Sequence, residues 1–166
     1  MRSNSKIISI ITIFAALYAV GVIFLAPISF GIYQVRLADA LLPLSMIFGI
    51  PSAIGFALGA IISNIYGVLG PVDIIGGSLA NFIACGLAFY IGRKGKVINR
   101  VLGSISQTII ITIIVGGYLW FIFEVPIEFS ILGILVGSLI AINFLGFPIQ
   151  EILRRNKSLR KYLFNK

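Results

Sequence analysis

Apolar runs separated by short polar or turn-rich stretches set the plan of this chain. After Arg2 and Lys6, no charge appears from Ile7 to Val35. A helix over about residues 6–26 is long enough to cross a hydrocarbon core about 30 Å thick, and Pro27 and Gly31 help end it. The run is too long for a signal-peptide core, and Ala26-Pro27 makes a poor cleavage site. No charge follows from Ala40 to Val72. Leu37–Phe48 is only about 18 Å long as an α-helix. After the break at Gly49-Ile-Pro-Ser52 comes Ala53–Tyr66. These two pieces are either short spans extended by their flanks or a re-entrant hairpin packed inside protein. Gly67–Asp73 is a turn-rich loop with one carboxylate. Three more spans follow, over Ile74–Gly92, Val101–Phe123 and Phe129–Gln150, with Pro148 marking the end of the last. Arg93–Arg100 is a basic loop and Glu124–Glu128 an acidic one. Residues 154–166 form a basic tail, either a helix lying on the membrane through Ile152, Leu159 and Leu163 or a disordered segment.

Composition turns this pattern into a class. The 166 residues are 59% hydrophobic and 11% charged, where a soluble domain carries about 25% charged residues. The expected fold is all-α: an integral membrane bundle of six transmembrane helices in one domain, 1–166, multi-pass in the cell membrane. Its second and third helices are the short ones. Cytoplasmic loops collect Lys and Arg. All but one of the 13 basic residues lie in the N-terminal segment, the Arg93–Arg100 loop and the tail. These come to one side if the number of crossings is even, so both termini are expected in the cytoplasm. The same placement explains the net charge of +8 without a nucleic-acid partner.

Chemistry is scarce. There is no histidine, and Cys85 is the only cysteine. No intrachain disulfide and no Cys/His metal site are expected. Gly92-Arg-Lys-Gly-Lys96 lacks the spacing of a phosphate loop, so the chain is not expected to hydrolyse ATP. No nucleophile–base pair stands out. The expectation is no enzyme, no cofactor and no metal.

Small residues recur every four positions, at Gly76, Ala80, Ala84, Ala88 and Gly92, at Gly133, Gly137 and Ala141, at Gly55 and Gly59, and at Ala15 and Ala19. This spacing lets helix backbones approach closely, and the run of five makes its helix the expected centre of the bundle. Against this background Arg36 and Asp39 are conspicuous, because charges inside a membrane are expensive. They either pair with each other or also touch a polar ligand. Gln34, Arg36, Asp39, Asn64, Asp73, Ser78 and Asn81 all fall in the outer half. Together they suit a pocket with apolar walls and a few convergent polar groups. The asparagines also fit simple interhelical hydrogen bonds.

The stretch Gln34-Val-Arg-Leu-Ala-Asp-Ala-Leu-Leu-Pro43 resembles the R-x-x-E-A-L-x-x-L-P pattern of the queuosine-precursor transporter (QueT-type) family. Asp39 stands where that pattern carries glutamate, one methylene longer. Phe48-Gly-Ile-Pro-Ser-Ala-Ile-Gly-Phe-Ala-Leu-Gly59 resembles the family's hairpin. Asp73-Ile-Ile-Gly-Gly-Ser-Leu-Ala80 is similar to its D-x-x-x-G-S-L-A segment. The resemblance covers about residues 10–95. It implies a substrate-binding S component of energy-coupling factor (ECF) transporters, a six-helix protein that docks on a transmembrane coupling subunit and two ATPases. The implied substrate is a 7-deazaguanine base. The implied binding residues are the seven polar ones named above. Ala15 and Ala19 then resemble the helix-1 surface that meets the coupling subunit, although ordinary packing explains their spacing equally well. An S component for another heterocyclic vitamin, and a small structural membrane protein without a ligand, stay open beside this reading.

Overall fold

A bilayer offers no water to hydrogen-bond a bare backbone, so spanning segments must satisfy their own amides. The computed structural model, which describes residues 4–31 and 34–156, meets that demand with helices alone. Among the described residues there is no strand. Helix α1 (Asn4–Phe24) is followed by the single turn α2 (Ala26–Ser29). Residues 34–36 run on without regular structure into a 3-10 stretch, Leu37–Leu44, which passes directly into α3 (Ser45–Phe48). Then come α4 (Ile50–Gly67), α5 (Pro71–Gly92) and α6 (Val97–Phe123). The last helix is continuous but changes pitch, from α7 (Ile127–Ser138) through a π-helical stretch, Leu139–Gly146, to α8 (Phe147–Arg155). Five helices among the described residues are long and apolar enough to cross a membrane: α1, α4, α5, α6 and the whole of Ile127–Arg155.

Neighbours in sequence are mostly neighbours in space. Helix α4 lies between α1 and α5, and α6 between α5 and α7. The Leu37–Phe48 stretch runs inside this ring, packed against α1, α5 and the π-helical part of the last helix. Its two ends lie at opposite ends of α5. Arg36, just before it, reaches Asp73 in the first turn of α5. Met46 fills the space beside Gly92 at the other end, where a Cβ would stand 2.6 Å from its sulfur. Twelve residues manage this partly because a 3-10 helix rises about 2.0 Å per residue against 1.5 Å for an α-helix. Proline favours the departure from α geometry, since Pro43 in its interior has no N–H to give. The Leu42 carbonyl is met from the side by Gln107 Nε2 at 2.9 Å.

Several boundaries differ from those expected. Ala53–Tyr66 belongs to a longer helix, α4, because Pro51 occupies its first turn, where a missing N–H loses nothing. For the same reason Pro71 starts α5 early, and Asp73 lies in the first turn of that helix rather than in a loop. Glu128 likewise falls in the first turn of α7. Pro148 does not end the last helix. It follows the π-helical stretch, where the wider turn leaves room for its ring. Of the tail, 157–166 lies outside the described residues, and with it Leu159 and Leu163.

The expectation that Ala15 and Ala19 face outward is corrected. They are only 8% and 5% exposed. Gly55 and Gly59 on α4 have no Cβ, and α1 closes onto them until a Cβ at either would stand 2.7 Å from the carbonyl of Ile11 or Ala15. The small residues here bring two helices of the same bundle together. The exposed face of α1 carries Thr12, Ile13, Ala16, Leu17 and Val20 instead. On α5 the run of small residues behaves as expected, with Ala80, Ala84 and Ala88 fully buried.

Candidate functional site

Polar side chains from four segments meet near the Asp73 end of α5. Helix α1 supplies Tyr18, and α5 supplies Asn81. The irregular strand of chain at 34–36 and the 3-10 stretch after it supply Gln34, Arg36 and Asp39, and α7 supplies Ser138 at its last residue. With Ile111 and Val115 of α6 and Ile134 of α7 they line one cavity. Its walls are polar on one side and apolar on the other, as in small-molecule sites. The space open to the centre of a water molecule is about 10 Å³, room for about one water. The cavity is therefore closed tightly around its own side chains.

Tight backbone approaches hold this arrangement. A Cβ on Gly137 of α7 would collide with the Gln34 carbonyl, and one on Gly146 would stand 2.5 Å from the Ala40 carbonyl. The last helix thus lies flush along the segment that carries Gln34, Arg36 and Asp39. Gly77 serves the other side, since a Cβ there would stand 2.5 Å from Asn64 Nδ2.

Arg36 and Asp39 share the cavity but do not form the expected mutual ion pair. Arg36 Nη2 lies 3.5 Å from Asp73 Oδ1, its Nε donates to the Ser29 carbonyl at 3.3 Å, and its guanidinium sits over the Phe30 ring at 5.4 Å. Because Arg36 precedes the first 3-10 turn, helical i,i+3 spacing does not apply to it. Asp39 Oδ1 accepts a hydrogen bond from Tyr18 Oη at 2.7 Å. Asp73 Oδ1 accepts one from Tyr118 Oη at 2.7 Å. Each carboxylate is thus held by a tyrosine from another helix.

The other expected residues divide. Asn64 Nδ2 donates to the Asp73 carbonyl at 2.8 Å, tying the end of α4 to the start of α5. Asp73 and Asn64 stand behind Arg36, outside the cavity lining. Asn81 lines the cavity while its Nδ2 reaches the Phe56 carbonyl at 3.4 Å. Ser78 turns its hydroxyl back to the Ile75 carbonyl at 2.9 Å and lies outside the lining. Gln34 is 3% exposed, and both its amide oxygen and nitrogen are without a hydrogen-bond partner. Asp73 Oδ2 and Asn64 Oδ1 are also unpartnered. Buried polar atoms are rarely left so, and this concentration marks the cluster as one built to bond something else.

Sequence reasoning missed Tyr18, Tyr118 and Ser138. The two tyrosines each offer a polar tip within an otherwise apolar run, which was a weak signal. Nothing in the sequence distinguished Ser138 from the other serines of the spans.

A family model described as QueT transporter matches residues 8–155 of this chain. No curated protein and no solved structure matches it.

Proposed function

The chain belongs to the QueT transporter family, and from that premise we propose that it is a substrate-binding subunit of the ECF type that takes a 7-deazaguanine base, a queuosine precursor, from outside the cell. It is a multi-pass membrane protein of a transporter family and not an enzyme. The observation that carries the finer reading is the closed cavity where Gln34, Arg36, Asp39 and Asn81 converge between apolar walls. A flat heterocycle with adjacent N–H donors and an exocyclic oxygen suits carboxylate, amide and guanidinium groups placed together.

Six crossings complete the reading. The Leu37–Phe48 stretch counts as one, because its flanking contacts reach both ends of α5. Six crossings put Lys6, the 93–100 segment and Arg154 on one side, which the positive-inside rule makes cytoplasmic. The cavity then lies in the outer half. Uptake against a gradient draws on a transmembrane coupling subunit and two ATPases, since the sequence carries no phosphate loop. Ala15 and Ala19, closed inside the bundle, are not the docking face in this arrangement.

The test is thermal unfolding of the purified chain with a panel of heterocycles, because a ligand that binds only the folded state raises apparent stability. A 7-deazaguanine base should raise the midpoint. A shift from a different vitamin would replace the substrate while keeping the subunit. No shift from any heterocycle would leave a structural membrane protein.

A further inference from the structure

Within that reading, the charge balance of the cavity narrows the ligand: we infer that it carries one positive charge, an ammonium group on the heterocycle, and that Asp39 is its counter-charge. One guanidinium faces two carboxylates here. Arg36 is paired by Asp73, whose Oδ1 lies 3.5 Å from Nη2. Asp39 lines the cavity, is 4% exposed, and receives a neutral donor, the Tyr18 hydroxyl. Among the described residues, no second cation stands within ion-pair distance of it. A buried charge is tolerated when it is paired and hydrogen-bonded, and Asp39 has only the hydrogen bond. A neutral ligand filling the cavity would remove the remaining water and leave the carboxylate worse off. An ammonium group would supply three donors and the missing charge. Gln34 adds an independent sign that a ligand is awaited, because both polar atoms of its amide are buried beside Asp39 without partners. Its amide offers one donor and one acceptor edge for the heterocycle itself, while Asp39 holds the charged substituent.

The inference rests on the proposed uptake of a deazaguanine base, and two probes separate the two statements. They are 7-aminomethyl-7-deazaguanine, charged at neutral pH, and 7-cyano-7-deazaguanine, which has an uncharged group at the same position. Both are titrated calorimetrically into the purified full chain. The aminomethyl probe should bind about ten- to hundredfold tighter, the range of a charge-assisted hydrogen bond. Asp39→Asn should erase that difference. Equal binding of the two probes by the unmodified chain would overturn the inference and leave the deazaguanine reading standing. The same holds if Asp39→Asn keeps the full preference. Binding of neither probe would overturn both. The comparison on the unmodified chain decides the matter even if the variant does not fold.

Discussion

Asp39 and Asp73 are both buried carboxylates, yet burial asks different things of them. Asp73 is fully enclosed, paired with Arg36 and bonded by Tyr118. Removing one partner of a buried pair leaves the other charge unmatched, at about 3–5 kcal/mol. Asp73→Asn is therefore expected to lower the thermal midpoint of the purified protein. Replacing Arg36 and Asp73 together by Leu should recover much of that loss, because a buried pair is often no better than apolar residues of similar volume. A double variant as unstable as Asp73→Asn would show that the pair holds more than itself. Tyr118→Phe should cost about 1 kcal/mol by the same measurement. The sequence marked Arg36, Asp39 and Asp73 correctly as exceptional, because charges in apolar runs cannot be hidden. It did not reveal who pairs with whom. The i,i+3 spacing of Arg36 and Asp39 suggested each other as partners, and only the three-dimensional path of residues 34–36 sends Arg36 to α5.

The helices themselves were legible from hydropathy, and their ends less so. Prolines 51 and 71 read as breaks but act as first-turn residues, since a proline near a helix start and one near its end look alike in sequence. The 3-10 and π-helical stretches were not legible at all. They arise where Leu37–Gly146 elements press against each other, and pitch answers to that packing. The glycines at these contacts are the accessible test. Gly59 sits where α4 meets the Ala15 carbonyl and the Tyr18 Cβ. Gly59→Val should push α1 away and destabilise the protein by about 1–3 kcal/mol, the usual range for overpacking. Gly86, with nothing within 4 Å of an added Cβ, is the control: Gly86→Ala should leave the midpoint unchanged or raise it. If both variants unfold at the same temperature, the α1–α4 contact is softer than its geometry implies.

At the scale of the whole molecule, charge decides orientation. Arg100 forms a two-pronged pair with Glu151 and also donates to the Gly95 carbonyl at 2.6 Å, binding the 93–96 turn to the last helix. Reporter fusions after Arg100 and after Lys166 should both signal the cytoplasm, and one within 124–128 the exterior. An exterior signal after Lys166 would mean an odd number of crossings. The cavity has a consequence of its own at this scale. Space for a single water cannot admit a two-ring base, so the closed form and the form that receives the base are different conformers. Encounter with ligand then waits on a step that belongs to the protein. In stopped-flow mixing, the observed association rate should climb with ligand concentration and then level off at the opening rate, whereas a permanently open vestibule would give a straight line. The apparent affinity is likewise weaker than that of the open conformer by the fraction of molecules open at any moment. Substitutions that hold the bundle ajar should therefore speed capture and tighten binding without touching a single residue that meets the base.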